Sequence, residues 1–303
     1  MINTINPHIV LKENLEMIDY EDINDLRKTC IEYDNTYLKL EIDFKLSNPK
    51  KNNQGKNLNI NEFMFYDSNE LIGYVGICDF GGDSLEVNGM VHPDYRRRGI
   101  FTKLISLVKD EFNKRDTTEM LFLSDNNSIS GNEFIKKLNF SYKFSEYDMN
   151  LDMDVKNELN INDIEFKRVT SNNVNKLKSL NLEFFDEYDY EGISDYETNE
   201  GNSSSATYVM EMNNVIMGKV RLEINNGTGG IYGLEVLPNY RGNGYGRKLL
   251  ILSINKLKES NINIVTLQVA AENKKALNLY KSCGFKENYT MNYYSIKKEM
   301  WNI

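Results

Sequence analysis

The sequence predicts an α/β protein built as two tandem copies of one domain. Two stretches, "HPDYRRRGIF" at 92–101 and "LPNYRGNGYG" at 237–246, are blurred copies of each other. Tyr95 and Tyr240 lie 145 positions apart, as do Pro93 and Pro238, Gly73 and Gly218, and Phe140 and Phe285. One motif recurs easily by chance; a gap-free register from Gly73 to Phe140 does not, and tandem duplication is its simplest source. The period is too long for a solenoid, so each copy needs its own core, and 303 residues suffice for two. The copies are expected at 1–151 and 164–303. Polar "DMDVKNELNINDIE", 152–165, lacks apolar periodicity and reads as the linker.

Strand and helix signals alternate in both copies. In the second, "TYVMEM" (207–212) and "VIMGKVRLEI" (215–224) are β-rich and flank Asn213-Asn214, a hairpin-turn pair. "GGIYGLEV" then leads as a strand into the glycine stretch. Leu250, Ile254 and Leu257 follow on one helical face. "NIVTLQVA" reads as a buried strand, and "NKKALNLYKSCGF" as a helix closed by Gly284. The first copy repeats this with "EFMFY", "LIGYVGICDF" and "LEVNGMV". A helix bearing Leu104, Leu107, Val108 and Phe112 comes next, then "MLFLS" and "GNEFIKKLNF".

Composition narrows the function. Apolar residues at 40% and charged residues at 27% are ordinary for a globular protein. A net charge of −9 disfavours nucleic acid and anionic membranes as partners, because both are polyanions. The N-terminus lacks the basic start and apolar run of a signal peptide, and no stretch has the apolar length of a membrane span. Cys30, Cys78 and Cys283 are dispersed and odd in number, which argues against a disulfide framework. With only two histidines, His8 and His92, no metal site is expected. A cytoplasmic protein is the expectation; the sequence sets no oligomeric state.

A strand, a Gly-rich turn and a helix together form a phosphate-binding device. The helix N-terminus offers unpaired N–H groups and a positive dipole end, and glycines permit positive φ and close approach. Arg241 and Arg247 can add charge-assisted bonds. The turn is no Walker loop, since no Lys-Ser/Thr follows the last glycine, and its G-x-G-x-G spacing is not a dinucleotide fingerprint.

Arg241-Gly242-Asn243-Gly244-Tyr245-Gly246 resembles the acetyl-CoA signature Q/R-x-x-G-x-G/A of the GNAT superfamily of N-acetyltransferases. "LQVAAENKKALNLYKSCGF" resembles the same family's strand, Asn and A-x-x-L-Y-x-x-x-G-F. The resemblance covers 164–300 well and 8–150 more weakly, and two fused domains resemble the mycothiol-synthase-like architecture. It implies a mixed, mostly antiparallel sheet flanked by helices in each domain, acetyl-CoA as co-substrate and an amine acceptor, small molecule or peptide. It implies that Leu234, Glu235 and Val236 pair with pantetheine. Arg241, Gly242, Asn243, Gly244, Tyr245, Gly246 and Arg247 would hold the pyrophosphate, and Asn273 would lie near the pantetheine arm. Tyr280 would protonate the leaving thiolate.

The chemistry of aminolysis fits these roles. An ammonium of pKa about 10 must lose a proton, and the departing thiolate must gain one. A positioned tyrosine can supply the second; equally, Ala276 and Tyr280 share a helix face, where tyrosines commonly just pack. Some family members carry a glutamate base where this chain has Gln268, which cannot accept a proton at neutral pH. Another carboxylate, a water chain or bulk solvent must serve; Glu235, on the strand that leads into the turn, is the nearest candidate, or else a polar strand residue that contributes backbone bonds alone.

The first copy departs further: Phe101 stands for Gly246, Ile135 for Tyr280 and Asn139 for Gly284. Arg96, Arg98 and Gly99 remain, leaving either a solvated basic turn or a second, noncatalytic CoA site. In the second copy, "EFFDEYDYEGISDYE" at 183–197 interleaves carboxylates with aromatics, as a cationic acceptor would require or as an exposed acidic loop would show. Three classes stay open. An acetyl-CoA-dependent N-acetyltransferase leads. A nonenzymatic acyl-CoA sensor and a tandem aminoacyl transferase using aminoacyl-tRNA follow, the last disfavoured by the acidic charge.

Overall fold

The computed structural model describes residues 4–47, 59–80, 82–138, 140–155, 164–170, 205–225 and 227–301. The chain forms two compact units, one of residues 1–145 and 289–303, the other of 146–288. Each is a mixed, mostly antiparallel sheet with helices.

In unit 1, β1 (Pro7–Lys12) precedes α1 (Met17–Asp34) and α2 (Ile42–Ser47). An antiparallel run of β2 (Glu62–Asp67), β3 (Glu70–Cys78) and β4 (Ser84–Val91) follows, with β1 beside β2. Helix α3 (Ile100–Lys114) crosses over to β5 (Glu119–Asp125), which pairs parallel to β4 from Ser84/Glu119 to Val87/Phe122. Then come α4 (Ile129–Lys137) and β6 (Ser141–Leu151). The expected stripe of α3 is buried: Leu104, Val108 and Phe112 recur one turn apart and pack on Phe63, Ile72 and Val75 of the sheet. α1 turns Ile23, Leu26 and Cys30 against Met64, Leu71 and Tyr74 in a second cluster.

The second half of the chain repeats the plan with β7 (Glu165–Arg168), β8 (Ser205–Met212), β9 (Val215–Asn225), β10 (Thr228–Val236), α5 (Tyr245–Lys258), β11 (Ile264–Ala270), α6 (Lys274–Ser282) and β12 (Phe285–Lys297). Asn213 and Asn214 have φ of 50° and 62°, the primed-turn geometry that suits a tight hairpin. Leu250, Ile254 and Leu257 of α5 are buried with Ile231, Val265 and Leu267 of the sheet. β5 and β11 start and end 145 positions apart, as do α4 and α6.

The units do not follow the sequence halves 1–151 and 164–303 at their C-terminal ends. β12 pairs antiparallel with β5, from Met291/Asp125 to Lys297/Glu119. β6 pairs antiparallel with β11, from Thr266/Asn150 to Ala270/Glu146. Each half thus supplies the strand that hydrogen-bonds to the other half's parallel pair, and the unit boundaries fall inside β6 and β12. Side chains follow the exchange. Trp301 is buried in unit 1 against Phe112, Phe122 and Phe140, with ring centroids 5.8, 5.5 and 5.7 Å away. The start of the proposed linker is ordered in unit 2: the Asp152 amide donates to the Gly284 carbonyl at 3.0 Å and its carboxylate pairs with Lys286 at 2.8 Å.

Candidate functional site

The site of unit 2 begins where β10 and β11 part. Their parallel pairing runs only from Thr228/Ile264 to Ile231/Leu267. Just beyond, β10 slips one register against β9 between Tyr232 and Glu235, with Gly233 at φ 54°. A Gly inside a strand commonly marks such a bulge. Leu234 lies within it, and Glu235 and Val236 resume the pairing, with Lys219 and Gly218. Unit 1 lacks this bulge: β3 and β4 keep one register from Gly73/Val91 to Cys78/Glu86.

After Val236 the chain makes a 3-10 turn, Pro238–Tyr240, and enters α5 through Gly244 as N-cap. Gly242 and Gly244 have φ of 83° and 79°, and a Cβ built on either meets no atom within 4 Å. The backbone is therefore open there, and the N–H groups of the first helical turn have no intrahelical partner. Gly246 differs: its Cβ would sit 3.5 Å from Leu279, an ordinary packing distance. Arg241 donates from Nε to the Val236 carbonyl at 2.7 Å and pairs with Glu235 at 3.2 Å, both side chains partly exposed. Arg247 reaches the Ser282 hydroxyl at 2.6 Å and carbonyl at 3.0 Å, tying α5 to the end of α6. Asn243 caps the turn weakly, at 3.4 Å from the Tyr240 carbonyl and 3.3 Å from that of Arg241. The Tyr245 ring stands edge-on to Tyr240.

Asn273 is the N-cap of α6, its side-chain oxygen accepting from the Ala276 amide at 3.1 Å. Tyr280 is 9% exposed, packs edge-on against Phe285 and belongs to the apolar core of unit 2. Burial pushes its hydroxyl pKa above the ordinary 10.0, which keeps it protonated at neutral pH. Gln268 is exposed, at the first β11 position past the parallel pairing. The stretch 183–197, with Asp186, Glu187 and Asp189, lies outside the described residues, as does Asn139.

Unit 1 keeps the turn but surrounds it with different side chains. Gly99 caps α3 with φ 80°, but Arg97 holds φ 63° at the place of Gly242. Asp34 of α1 grips both terminal nitrogens of Arg96 at 2.7 Å. Phe101 stacks edge-on with Phe134 at 4.8 Å and comes within 3.0 Å of a Cβ built on Gly89. The Gly89 amide donates to the Asn88 side chain at 2.7 Å, so this strand's N–H is already satisfied. Sequence reasoning missed three features. The Gly233 bulge was signalled by an isolated strand glycine; the Ser282 anchor of Arg247 and the Asp34 clamp on Arg96 are long-range pairs without a local signal.

Among the described residues, no group of three or more His, Cys, Asp or Glu could hold a metal, and no helix is long and apolar enough to cross a membrane. The three cysteines are buried free thiols.

Comparison with known proteins agrees with this architecture. The profile described as "Acetyltransferase (GNAT) family" matches residues 174–285, and "Acetyltransferase (GNAT) domain" matches 60–142. The chain is 39% identical over 52 residues to N-alpha-acetyltransferase 30 of Saccharomyces cerevisiae, covering 17% of this chain and 30% of that protein. It is 40% identical over 67 residues to an N-alpha-acetyltransferase of Sulfurisphaera tokodaii, covering 22% and 40%. The matches thus span well under half of these curated relatives. Among solved structures, a GCN5-related N-acetyltransferase from Sphaerobacter thermophilus superposes with TM-score 0.72 at 17% identity, covering 96% of both chains. A tandem GNAT protein from the clavulanic acid biosynthesis pathway gives TM-score 0.69 at 13% identity, covering 97% and 99%. At such identities these two neighbours speak for the fold alone. With one domain of the same family matched in each half, the chain belongs to the GNAT acetyltransferase family as a tandem of two such domains.

Proposed function

We propose that the protein is an N-acetyltransferase that moves the acetyl group of acetyl-CoA to an amine, with the chemistry in unit 2. The observation that carries this is the open turn at Gly242 and Gly244, set beside the bulged, diverging end of β10. A diphosphate fits such a turn, because unpartnered N–H groups and a helix dipole converge where no Cβ intrudes. Arg241 and Arg247 flank it, and Leu234, Glu235 and Val236 offer main-chain groups to a pantetheine arm. Asn273 orients α6 by capping it. Tyr280 sits on that helix, its hydroxyl kept protonated by burial, as a donor to a leaving thiolate must be.

The amine acceptor is a small molecule or a peptide. The alkaline ammonium of a cationic acceptor suits the acidic, aromatic stretch 183–197. The N-alpha-acetyltransferase names of the short matches favour a peptide N-terminus among these. Free buried thiols suit a reducing, cytoplasmic setting.

The test is mass spectrometry of ligand bound to the purified protein, followed by thiol release from acetyl-CoA over a panel of amines and N-terminal peptides. Copurified CoA and amine-dependent thiol release are expected. Tight acetyl-CoA binding with no release on any amine would favour a sensor instead.

A further inference from the structure

We infer that the amine accepted by unit 2 carries a carboxylate, and that Arg221 of β9, laid over Tyr232 of β10, binds it. The inference rests on the acetyltransferase reading above and narrows its acceptor.

Strand alternation places the pair. On β9, Val220 and Leu222 enter the apolar core beneath α5, and on β10 Ile231 does the same. Arg221 and Tyr232 therefore stand on the opposite face of the sheet. They are direct cross-strand partners, and Thr207 of β8 pairs with Arg221 from its other side. Tyr232 is the first β10 residue after the parallel pairing with β11 ends at Ile231/Leu267. Tyr232 thus stands at the mouth of the cleft, and Arg221 one strand from it. A donor held at the N-terminus of α5 leaves this face of the sheet to the acceptor.

The contact between the two side chains presents a cation. The Arg221 guanidinium carbon lies 5.4 Å from the centre of the Tyr232 ring, so the side chain reaches from β9 across to the strand that borders the cleft. The ring lies along β10: a Cβ at Gly230 would come within 2.5 Å of it, and glycine leaves it room. A guanidinium stays charged at working pH and offers a planar fork of donors that matches a carboxylate. Arg221 is half-buried, and its Nε is buried without a hydrogen-bond partner. Among the described residues the group forms no ion pair, Glu223 two positions along the same face included. A cation partly withdrawn from water and not neutralised attracts an anion more strongly than an exposed one.

Unit 1 has the same place neutralised from within. Glu62 and Gly76, 145 positions before Thr207 and Arg221, are cross-strand partners in the same way. There the cation is Lys45 of α2, whose ammonium fills the space beside Gly76 and pairs with the buried Glu62 at 3.0 Å. The Tyr74 hydroxyl donates to the same carboxylate at 2.6 Å. In the second copy Thr207 stands for that carboxylate, and the strand itself carries the cation. The anion that unit 1 holds internally is the one that unit 2 takes from its acceptor.

The carboxylate only anchors and stays ionised. The neutral amine forms the C–N bond to the thioester carbonyl carbon, and the C–S bond breaks. Of the two protons that the ammonium gives up, one goes to solvent and one ends on the thiol.

The experiment measures thiol release from acetyl-CoA over matched acceptors. Amino acids are compared with their carboxamides, which tests a free α-carboxylate. Peptides with aspartate or glutamate near the N-terminus are compared with the same peptides carrying asparagine or glutamine, which tests an acidic side chain. In one of these pairs the wild type should prefer the carboxylate by about 10–100-fold in kcat/KM. Arg221→Gln should bring the pair level, with the change in the acceptor KM and not in the acetyl-CoA KM. Thr207→Glu keeps the guanidinium but returns the carboxylate of unit 1 to its side, and should bring the pair level too. A wild type that acetylates amines with no preference in either pair overturns the inference and leaves the acetyltransferase reading standing. So does a preference that survives in either folded variant. A wild type that binds acetyl-CoA but acetylates no amine overturns the reading and the inference together.

Discussion

Arg96 and Arg241, 145 positions apart, make the same main-chain bond: each Nε donates to a carbonyl five residues back, Val91 at 3.0 Å and Val236 at 2.7 Å. Their far ends differ. Asp34 holds Arg96 through two bonds of 2.7 Å in a partly buried pair, whereas Arg241 meets a half-exposed Glu235 at 3.2 Å. The same residue has become a structural clamp in one unit and remains an accessible cation in the other.

Arg96→Ala should therefore cost stability, about 1.5–3 kcal/mol for charge-assisted bonds to a partly buried partner, and leave acetyl-CoA affinity alone. Arg241→Ala should cost less stability, because an exposed pair is screened, and weaken acetyl-CoA binding. Urea denaturation and calorimetry on both variants check the contrast; equal stability losses with equal affinities would erase it.

Tyr280→Phe keeps the ring and its edge-on packing on Phe285 while removing the proton. Turnover should fall by about 10²–10⁴-fold with acetyl-CoA binding intact. The sign of the pH dependence follows from burial, which raises the hydroxyl above 10.0. The donor form persists through neutral and mildly alkaline pH and is lost as pH rises through the raised value. The wild-type rate should therefore not fall on this group's account at neutral or mildly alkaline pH. Rate measurements where chemistry limits turnover decide the point, and full activity in Tyr280→Phe would remove the acid role.

The strand exchange makes the halves depend on each other. Residues 164–303 alone lack β6, so the free edge of β11 would be exposed, and 1–151 alone lacks β12 and Trp301. Each isolated half should unfold without a cooperative transition, and coexpressed halves should associate and recover activity. Circular dichroism with thermal melting checks this; a cooperatively folding, fully active 164–303 fragment would show that β6 is dispensable.

Much of this was legible in the sequence, for local reasons. The 145-residue register located the copies in part because Pro93–Tyr95 and Pro238–Tyr240 form the same 3-10 turn, after which Gly99 and Gly244 cap their helices at φ 80° and 79°. Leu250, Ile254 and Leu257 announced α5 by period. The exchange was not legible. Phe140 and Phe285 keep the repeat register up to the start of the exchanged strands, and nothing in a strand's own residues says which sheet edge it joins. α1 escaped too, because "MIDYEDINDLRKTCIEYD" scatters charge around Ile23, Leu26 and Cys30. At the site, Asp148, 120 positions from Gln268, is brought beside it only by pairing across strands.

The most direct test of the central claim is the stoichiometry of acetyl-CoA binding, measured by calorimetry on the wild type, Gly244→Glu and Gly99→Glu. Both glycines cap a helix at nearly the same positive φ in open space, so both variants carry the same backbone strain, about 1–2 kcal/mol. Only Gly244→Glu sets a carboxylate where the diphosphate is proposed to bind. The account predicts one molecule bound per chain, lost in Gly244→Glu and kept in Gly99→Glu. Binding that survives in folded Gly244→Glu, or that disappears in folded Gly99→Glu, would contradict it.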